Sequence, residues 1–351
     1  MKNLPLAQIG RNGATIAIGA LGGYLFFLAT VPLAWMLGAM CVTTACALFG
    51  VRLQLAGGLR SVMVVVLGLM LGAAFTPDMV ERLASWASGA AVLLVFVPTA
   101  LASVYFYLNR FMRVDPVTAY FAASPGGFGE MVLLGESQGG DVRTIALVHA
   151  TRVLIVVMVI PLAYRFALDL DAPNVIAVAA KTPSLKDLAI LGVCALTGWP
   201  LARLLRFPAP PLLGTMMLSA AVHFFGWTDI RPPGQLIALA QVVIGASVGA
   251  RFVGVHWRTV LKTLLIACGS TVILLVIAVL FTGLAPIAGI EPMALNLALA
   301  PGGLAEMSLI ALALGIDTAF VSTMHVWRIV MIYLFAPICF RFVGKRRDDK
   351  E

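Results

Sequence analysis

The chain has 351 residues, of which 61% are hydrophobic and only 11% are charged, and its mean hydropathy is +1.01. Soluble globular domains carry about 25% charged residues, so this composition excludes a soluble domain and indicates a protein with many membrane spans. The net charge of +8 is better explained by lysines and arginines in cytoplasmic loops than by a nucleic-acid partner. We therefore expect the lipid bilayer to surround the chain and expect no direct contact with nucleic acid.

Apolar runs long enough to cross a bilayer follow one another along the chain. A spanning helix needs about 20 apolar residues. The runs are continuous rather than alternating, which predicts helices and not barrel strands. The first run has no clear cleavage site after it, so we interpret it as a retained span rather than a secretory signal. The runs cover residues 14–30, 32–49, 60–76, 88–108, 143–164, 187–204, 208–226, 234–252, 262–286 and 319–342.

The cysteines lie one at a time inside apolar runs, and no two of them form a CxxC motif. We interpret them as small apolar residues rather than as disulfide partners or metal ligands. The sequence also lacks a Walker A motif, so ATP-driven action by this chain is not expected. From these patterns we expect no metal and no cofactor. The cysteines are Cys41, Cys46, Cys194, Cys268 and Cys339.

A polar motif occurs twice in this apolar chain. Residues 123–152 read ASPGGFGEMVLLGESQGGDVRTIALVHATR, and residues 299–328 read LAPGGLAEMSLIALALGIDTAFVSTMHVWR. Adding 176 to a position in the first copy gives its counterpart in the second. The identical residues include Pro125, Gly126, Gly127, Glu130, Asp141, His149 and Arg152, matched by Pro301, Gly302, Gly303, Glu306, Asp317, His325 and Arg328.

The register of this repeat extends upstream of the motif, so the whole chain is a tandem duplication. We predict a first membrane repeat over 1–170, a linker over 171–186 and a second membrane repeat over 187–351. Internal duplication of this kind is typical of transporter folds.

The fifth apolar segment of each half is interrupted. In the first half it covers 117–136 and contains Pro125-Gly126-Gly127, and its counterpart covers 293–314. Pieces of eight or nine residues rise only about 12–14 Å, well short of a hydrocarbon core of about 30 Å. The pattern predicts a re-entrant or broken helix facing protein or a water-filled cavity. The alternative is an ordinary proline kink in a full span.

Loop charge predicts that the two halves are inverted. The loop after the first segment has no lysine or arginine in the first half but contains Arg203 and Arg206 in the second. The loop after the fourth segment shows the opposite bias, with Arg110 and Arg113 in the first half and no basic residue in the second. Because basic loops face the cytoplasm, we predict inverted repeats of five spans plus one re-entrant or broken segment each. Both termini are then cytoplasmic, and the alternative is 12 full spans.

Asp141 and Asp317 each precede an apolar helix, which makes them predicted helix N-caps. Counted from that start, His149 lies roughly 12 Å deep and Arg152 roughly 16 Å deep, near the bilayer midplane. The two side chains share one helix face, as their counterparts His325 and Arg328 do. An arginine at this depth costs at least ~2.5–3.5 kcal/mol, so it must face protein or water.

Two interpretations of these arginines stay open. In one, the arginine is purely structural, and Arg152 fixes Glu130 or the hairpin of its own half; in the other, the arginines line a cavity and attract an anion. Glu130 and Glu306 follow the breaks directly and either cap free N–H groups or carry a coupling proton, a role that the histidines could share. The predicted substrate- and ion-binding residues are Ser124, Pro125, Gly126, Gly127, Glu130, His149, Arg152, Asn296, Pro301, Gly302, Gly303, Glu306, His325 and Arg328.

The doubled motif PGGFGE and PGGLAE, each followed by an Asp and by H..R, resembles the AbrB family of inner-membrane proteins over nearly the whole chain. The resemblance implies a bacterial inner (plasma) membrane. Members of that family carry the labels transporter, ammonia monooxygenase and regulator of gene expression. GGFG also resembles the GGxG re-entrant loops of sodium-coupled glutamate and citrate carriers, although the second copy here reads GGLA.

These patterns favour a secondary transporter, and not an enzyme, that moves a small anionic solute coupled to protons. One alternative is a membrane-embedded regulator of gene expression that acts indirectly. The other is a metal-dependent monooxygenase, which the two histidine-adjacent arginines disfavour because they would repel a divalent cation. A homo-oligomer is compatible with the sequence.

Overall fold

The computed structural model describes residues 6–168, 183–254 and 257–348, and across these ranges it contains helices and no strands. Residues 171–182 of the predicted linker 171–186 lie outside the described residues. The prediction of helices rather than barrel strands is confirmed. The helices are α1 (Leu6–Leu28), α2 (Ala34–Leu48), α3 (Gly57–Gly72), α4 (Leu83–Phe106), α5 (Pro116–Ala123), α6 (Phe128–Ser137), α7 (Val142–Leu168), α8 (Leu185–Leu204), α9 (Pro210–Phe224), α10 (Gly234–Gly249), α11 (Trp257–Thr282), α12 (Ala285–Ala288), α13 (Pro292–Leu299), α14 (Leu304–Ala313) and α15 (Thr318–Asp348).

Six helical segments of the described chain are long and apolar enough to cross a membrane. Further apolar helices such as α2, α3 and α14 are shorter. The protein is therefore an all-helical polytopic membrane protein, as the composition predicts. The six segments are Trp86–Phe111, Val142–Phe166, Leu185–Leu204, Gly234–Phe252, Thr263–Thr282 and Thr318–Phe335.

Three of the predicted spans contain helices shorter than the apolar runs suggest. The helices α2 and α9 have 15 residues each and α3 has 16, so each rises about 24 Å or less. The backbone is left-handed just before α2 and α9, at the equivalent residues Leu33 (φ 50°) and Ala209 (φ 44°). The apolar run therefore includes a turn at this point, which hydropathy alone does not reveal.

The chain divides into two compact units that interleave the sequence halves. The first unit comprises Met1–Arg82, Met158–His256 and Ser308–Ala319. The second comprises Leu83–Val157, Trp257–Met307 and Phe320–Glu351. Each unit thus takes segments from both halves of the duplication. Most of them correspond in the repeat register, but Ser308–Ala319 lies in the first unit whereas its counterpart 132–143 lies in the second.

In the first unit, equivalent helix pairs pack through equivalent glycines. A Cβ atom on Gly38 of α2 would overlap the backbone of Gly22 in α1, and a Cβ on Gly214 of α9 would overlap that of Gly198 in α8. Small residues let membrane helices approach this closely. The two halves therefore build the same helix pair.

In the same unit, helices of the first half pack against helices of the second half. Helix α3 of the first half packs against α9 of the second, and α10 of the second half packs against α2 of the first. Gly72 faces Ser219 across the first contact, and Gly249 faces Thr43 across the second. Such reciprocal pairing is what a twofold relation between two similar halves produces.

Both interrupted segments are broken rather than kinked, and both breaks lie in the second unit. Helix α5 ends at Ala123 and α6 begins at Phe128, with Ser124 (φ −58°, ψ 125°) and Gly127 (φ −61°, ψ 133°) extended between them. The second break separates α13 from α14, and Ala300 (φ −54°, ψ 137°) is extended in the same way. A residue before proline is pushed out of the helical region, and proline has no N–H to continue the ladder.

Candidate functional site

A histidine and an arginine on α7 bind the carbonyl end of α5. His149 Nε2 lies 2.9 Å from the carbonyl oxygen of Phe121, and Arg152 Nη1 donates to the carbonyl oxygen of Ser124 at 3.2 Å. Arg152 Nη2 lies 2.9 Å from His149 Nδ1. The last carbonyl groups of a helix lack partners within the helix and carry its negative dipole end, so this pair caps the broken segment.

The second copy repeats this arrangement on α15. His325 Nε2 lies 3.0 Å from the carbonyl oxygen of Leu297, and Arg328 Nη1 donates to that of Ala300 at 2.6 Å. Arg328 Nη2 lies 2.8 Å from His325 Nδ1 and also donates to the carbonyl oxygen of Gly302 at 2.8 Å. We call each set of contacts a carbonyl clamp: His149 and Arg152 form the first, and His325 and Arg328 the second.

The partners of each histidine assign its tautomer. An arginine can only donate, so Nδ1 of His149 accepts from Arg152 and Nε2 carries the proton that it donates to the Phe121 carbonyl. His325 has the same two kinds of partner. Both imidazoles are therefore neutral in this arrangement.

The clamps bury positive charge without a visible counter-charge. Arg152 is 3% exposed and Arg328 is 2% exposed. No ion pair joins either arginine to a carboxylate among the residues that the structure describes, so the alternative of an Arg152–Glu130 ion pair is not what the structure has. Within the same ranges, Nε of each arginine has no hydrogen-bond partner.

Both glutamates fold back onto the glycine that ends the motif. The carboxylate of Glu130 occupies the space where a Cβ on Gly127 would stand, and the carboxylate of Glu306 does the same at Gly303. Each glutamate is half-buried and is the third residue of its half-helix, from which a side chain can reach back to the helix start. A side chain at this position would push the carboxylate away from the glycine.

The aspartates stand immediately before the helices that contain the clamps. Asp141 Oδ1 accepts the backbone N–H of Arg143 at 3.0 Å at the start of α7. The backbone N–H of Asp141 donates to Thr118 Oγ1 at 2.7 Å, which ties this start to α5. Asp317 lies 3.3 Å from Arg82 Nη1 in an ion pair.

The residues before the two breaks differ in role. Ser124 is buried, and its carbonyl oxygen rather than its hydroxyl contacts Arg152. Asn296 lies earlier in α13, where its side-chain amide donates to Thr282 Oγ1 at 3.1 Å. Asn296 is the counterpart of Tyr120 and not of Ser124 in the repeat register.

A cavity of about 270 Å³ lies beside the first break. Its walls come from α4, from the end of α5 with the break itself, and from α15, and they are almost entirely apolar. Ser124 belongs both to this wall and to the first clamp. The walls include Val97, Leu101, Tyr120, Ser124, Pro125 and Ile332.

The family model described as "Transition state regulatory protein AbrB" matches residues 35–344. The chain belongs to the AbrB family. It is 28% identical to "Uncharacterized protein YhjN" of Bacillus subtilis (strain 168), over 95% of this chain and 94% of that protein. It is also 28% identical to "Putative regulator AbrB" of Escherichia coli (strain K12), over 91% of this chain and 92% of that protein. The resemblance drawn from the doubled motif is confirmed.

In this AbrB-family chain, the hydrogen-bond acceptors of both clamps are backbone carbonyl oxygens. Every residue type has such an oxygen, so the sequence does not show which residues are the acceptors. Phe121, Leu297 and Ala300 contribute only their carbonyl oxygens. Phe128 was also missed, although its ring meets that of His149 edge-on at 6.2 Å. One signal was available: a carbonyl at the end of a broken segment precedes its clamp residue by 28 positions in both copies.

The side chains brought together by this family member's fold do not resemble a metal centre. Within the described ranges, no three or more His, Cys, Asp or Glu side chains form a group that could hold a metal ion. Each clamp instead offers guanidinium N–H groups, which bind anions such as carboxylates and phosphates.

Proposed function

We propose that this AbrB-family protein is a secondary transporter that moves a small anionic solute, with a carboxylate as the favoured class. One observation carries the proposal: two buried guanidinium groups, neither of them paired with a carboxylate in the described chain, each keep an Nε–H without a partner there. A transported anion would supply the missing acceptor and the missing charge.

The energetics of buried charge support an anion at this place. Taking a charged group out of water costs several kcal/mol unless it is paired. Hydrogen bonds to carbonyl dipoles offset part of that cost, but they leave the net charge in place. The Nε and Nη donors of one arginine form a fork that matches the two oxygens of a carboxylate.

The organisation of the chain supports a transporter as well. Two similar halves, broken helices and buried charge beside the breaks are the parts from which many transporter sites are built. We propose inverted halves with re-entrant breaks, because basic loops swap sides between the halves. We further propose the bacterial inner membrane as the location, with both termini in the cytoplasm.

Proton coupling is proposed to involve Glu130 and Glu306 at the starts of α6 and α14. Each carboxylate is half-buried and lies beside the break. The histidines would respond to the anion: if a solute takes the Nη2 donor of Arg152, then Nδ1 of His149 loses its donor and can accept a proton. Anion and proton would then enter together.

Uptake into proteoliposomes tests this proposal. We expect a labelled panel of small carboxylates to contain a solute that accumulates under an imposed proton gradient. Arg152→Ala and Arg328→Ala should each lower that accumulation by about tenfold or more. Arg143→Ala is the matched control, because Arg143 is exposed at the start of α7 and should leave accumulation unchanged. Equal accumulation in wild type and both clamp variants would overturn the arginine site.

A second candidate follows from the printed name of the Escherichia coli relative, which says regulator. Under this proposal the chain alters gene expression indirectly, through the solute that it moves or senses. We favour no enzymatic activity for the chain. Arginine variants that change expression without changing any solute flux would favour the regulator over the transporter.

A further inference from the structure

The cavity beside the first break is suited to hydrocarbon. It has a volume of about 270 Å³, and side chains such as Val97, Leu101 and Ile332 form its walls. Since one water-sized group takes up about 30 Å³, about nine groups of that size would fit. The lining residues Leu94 and Phe335 are 50% and 51% exposed, so the cavity reaches the surface between α4 and α15.

The cavity and the first clamp share a residue. Ser124 lines the cavity with Pro125, and the carbonyl oxygen of Ser124 accepts a hydrogen bond from Arg152 Nη1 at 3.2 Å. Arg152 is only 3% exposed, and its Nε has no hydrogen-bond partner in the described chain. An anion bound to this guanidinium would lie next to the residue that forms the cavity wall.

The second copy lacks the same combination. Tyr120, which lines the cavity, is replaced by Asn296, and Ser124 is replaced by Ala300. The amide of Asn296 donates to Thr282, so a polar pair stands at that position. In the first copy, an aromatic, apolar wall therefore includes the residue whose carbonyl oxygen binds the arginine.

The donors of the two arginines are also used to different extents. Arg328 donates to two carbonyl oxygens and to His325, whereas Arg152 donates to one carbonyl oxygen and to His149. Arg152 thus has more guanidinium N–H groups left to donate to a ligand than Arg328 has. Charge and hydrocarbon recognition coincide at the first copy.

We propose that the solute is an amphipathic monocarboxylate, with its carboxylate on Arg152 and its hydrocarbon tail in the cavity beside Ser124 and Pro125. This inference rests on the proposed transport of an anion and narrows its substrate class. The tail is of medium length, because the cavity holds about nine small groups.

Equilibrium dialysis with the full chain in nanodiscs tests the inference, with empty nanodiscs as the blank. The probes are labelled butyrate and octanoate. We expect wild type to bind octanoate about tenfold or more tightly than butyrate, because the longer tail removes more apolar surface from water. Arg152→Ala should weaken the binding of both probes.

Two substitutions on α4 separate the cavity from the lipid-facing surface. Val97→Phe fills the cavity and should bring octanoate affinity down to that of butyrate while leaving butyrate unchanged. Val95→Phe is the matched control, because Val95 is 60% exposed and is not part of the lining; it should change neither affinity. Leu101→Phe provides a second filled cavity in case Val97→Phe does not fold.

The outcomes distinguish this inference from the transport proposal. If Arg152→Ala abolishes binding of both probes but chain length has no effect, the anion site stands and the hydrocarbon tail is wrong. If octanoate binds tightly but Arg152→Ala leaves it unchanged, or if 1-octanol competes equally well, the cavity takes a free hydrocarbon chain such as that of a lipid, and the inference is overturned. Failure of both probes to bind would overturn the inference but not the transport of another anion, which the uptake assay tests separately.

Discussion

The two breaks share a sequence motif and a carbonyl clamp, but they are packed differently. At the first break Gly126 and Phe128 are half-buried and Gly129 is exposed, whereas their counterparts at the second break are all buried; these are Gly302, Leu304 and Ala305. The second arginine also has the larger number of backbone acceptors. Both arginines are buried to the same extent, so the two copies differ in the packing of the residues that follow the proline and not in the burial of the clamp.

The largest effect should come from removing the proposed proton-carrying group at the first copy. We expect Glu130→Gln to lower gradient-driven accumulation by about tenfold or more, and to do so more than Glu306→Gln. Solute exchange without a gradient should persist in both variants. Flux measurements with and without an imposed pH difference check this.

Glu136→Gln serves as the control for this experiment, because Glu136 lies on the same helix α6 and is exposed. If Glu136→Gln abolished accumulation as well, or if Glu130→Gln retained full coupling, the carboxylate at the first break would not be the proton carrier.

The next effect is on stability and should be larger at the second copy. Arg328→Ala leaves two buried carbonyl groups and a histidine without their donor, and we expect a loss of about 2–4 kcal/mol in the free energy of unfolding. Arg152→Ala should cost about 1–3 kcal/mol, since it removes one carbonyl contact. Thermal and denaturant unfolding in one detergent measures both, and equal losses would contradict the difference between the copies.

The first glycine after the proline of each motif, Gly126 or Gly302, provides a further comparison of the packing at the two breaks. A Cβ on Gly302 would overlap several atoms of Met307, whereas a Cβ on Gly126 would press mainly on one methyl of Ile332. We expect Gly302→Ala to cost about 1–3 kcal/mol through overpacking and Gly126→Ala to cost less. A larger loss for Gly126→Ala in the same unfolding assay would show that the first break is the tighter one.

The smallest effect should come from Ser124→Ala, which gives the first copy the residue found at position 300. The contact with Arg152 uses the backbone carbonyl, which alanine retains. We expect a change within about ±0.5 kcal/mol in unfolding. A loss above about 1 kcal/mol would assign a structural role to the hydroxyl group.

The sequence was sufficient for the helical membrane class, the duplication and the position of both breaks. A long apolar run produces a membrane helix, and a proline followed by two glycines breaks one, through residues that are neighbours in the sequence. These features can therefore be predicted from the sequence alone. The short helices α2 and α9 were not foreseen, because an apolar run does not show that residues such as Leu33 adopt a left-handed backbone.

The partners of the buried arginines were also beyond the sequence. A carboxylate was a natural expectation for Arg152, yet the acceptor is the Ser124 carbonyl, which any residue type would provide. The interleaving of the halves into two units likewise depends on which equivalent helices pack together, and the repeat register does not specify this. Features set by neighbouring residues could therefore be predicted, whereas contacts between helices distant in the sequence could not.

The exchanged packing of α3 on α9 and of α10 on α2 bears on how such a chain arose. A polypeptide with one copy would leave its second and third helices uncovered, so two molecules would have to associate face to face to cover them. Fusing the copies converts that dimer contact into an intramolecular one. The fused contacts can then diverge independently, as Thr43 and Ser219 illustrate at equivalent positions.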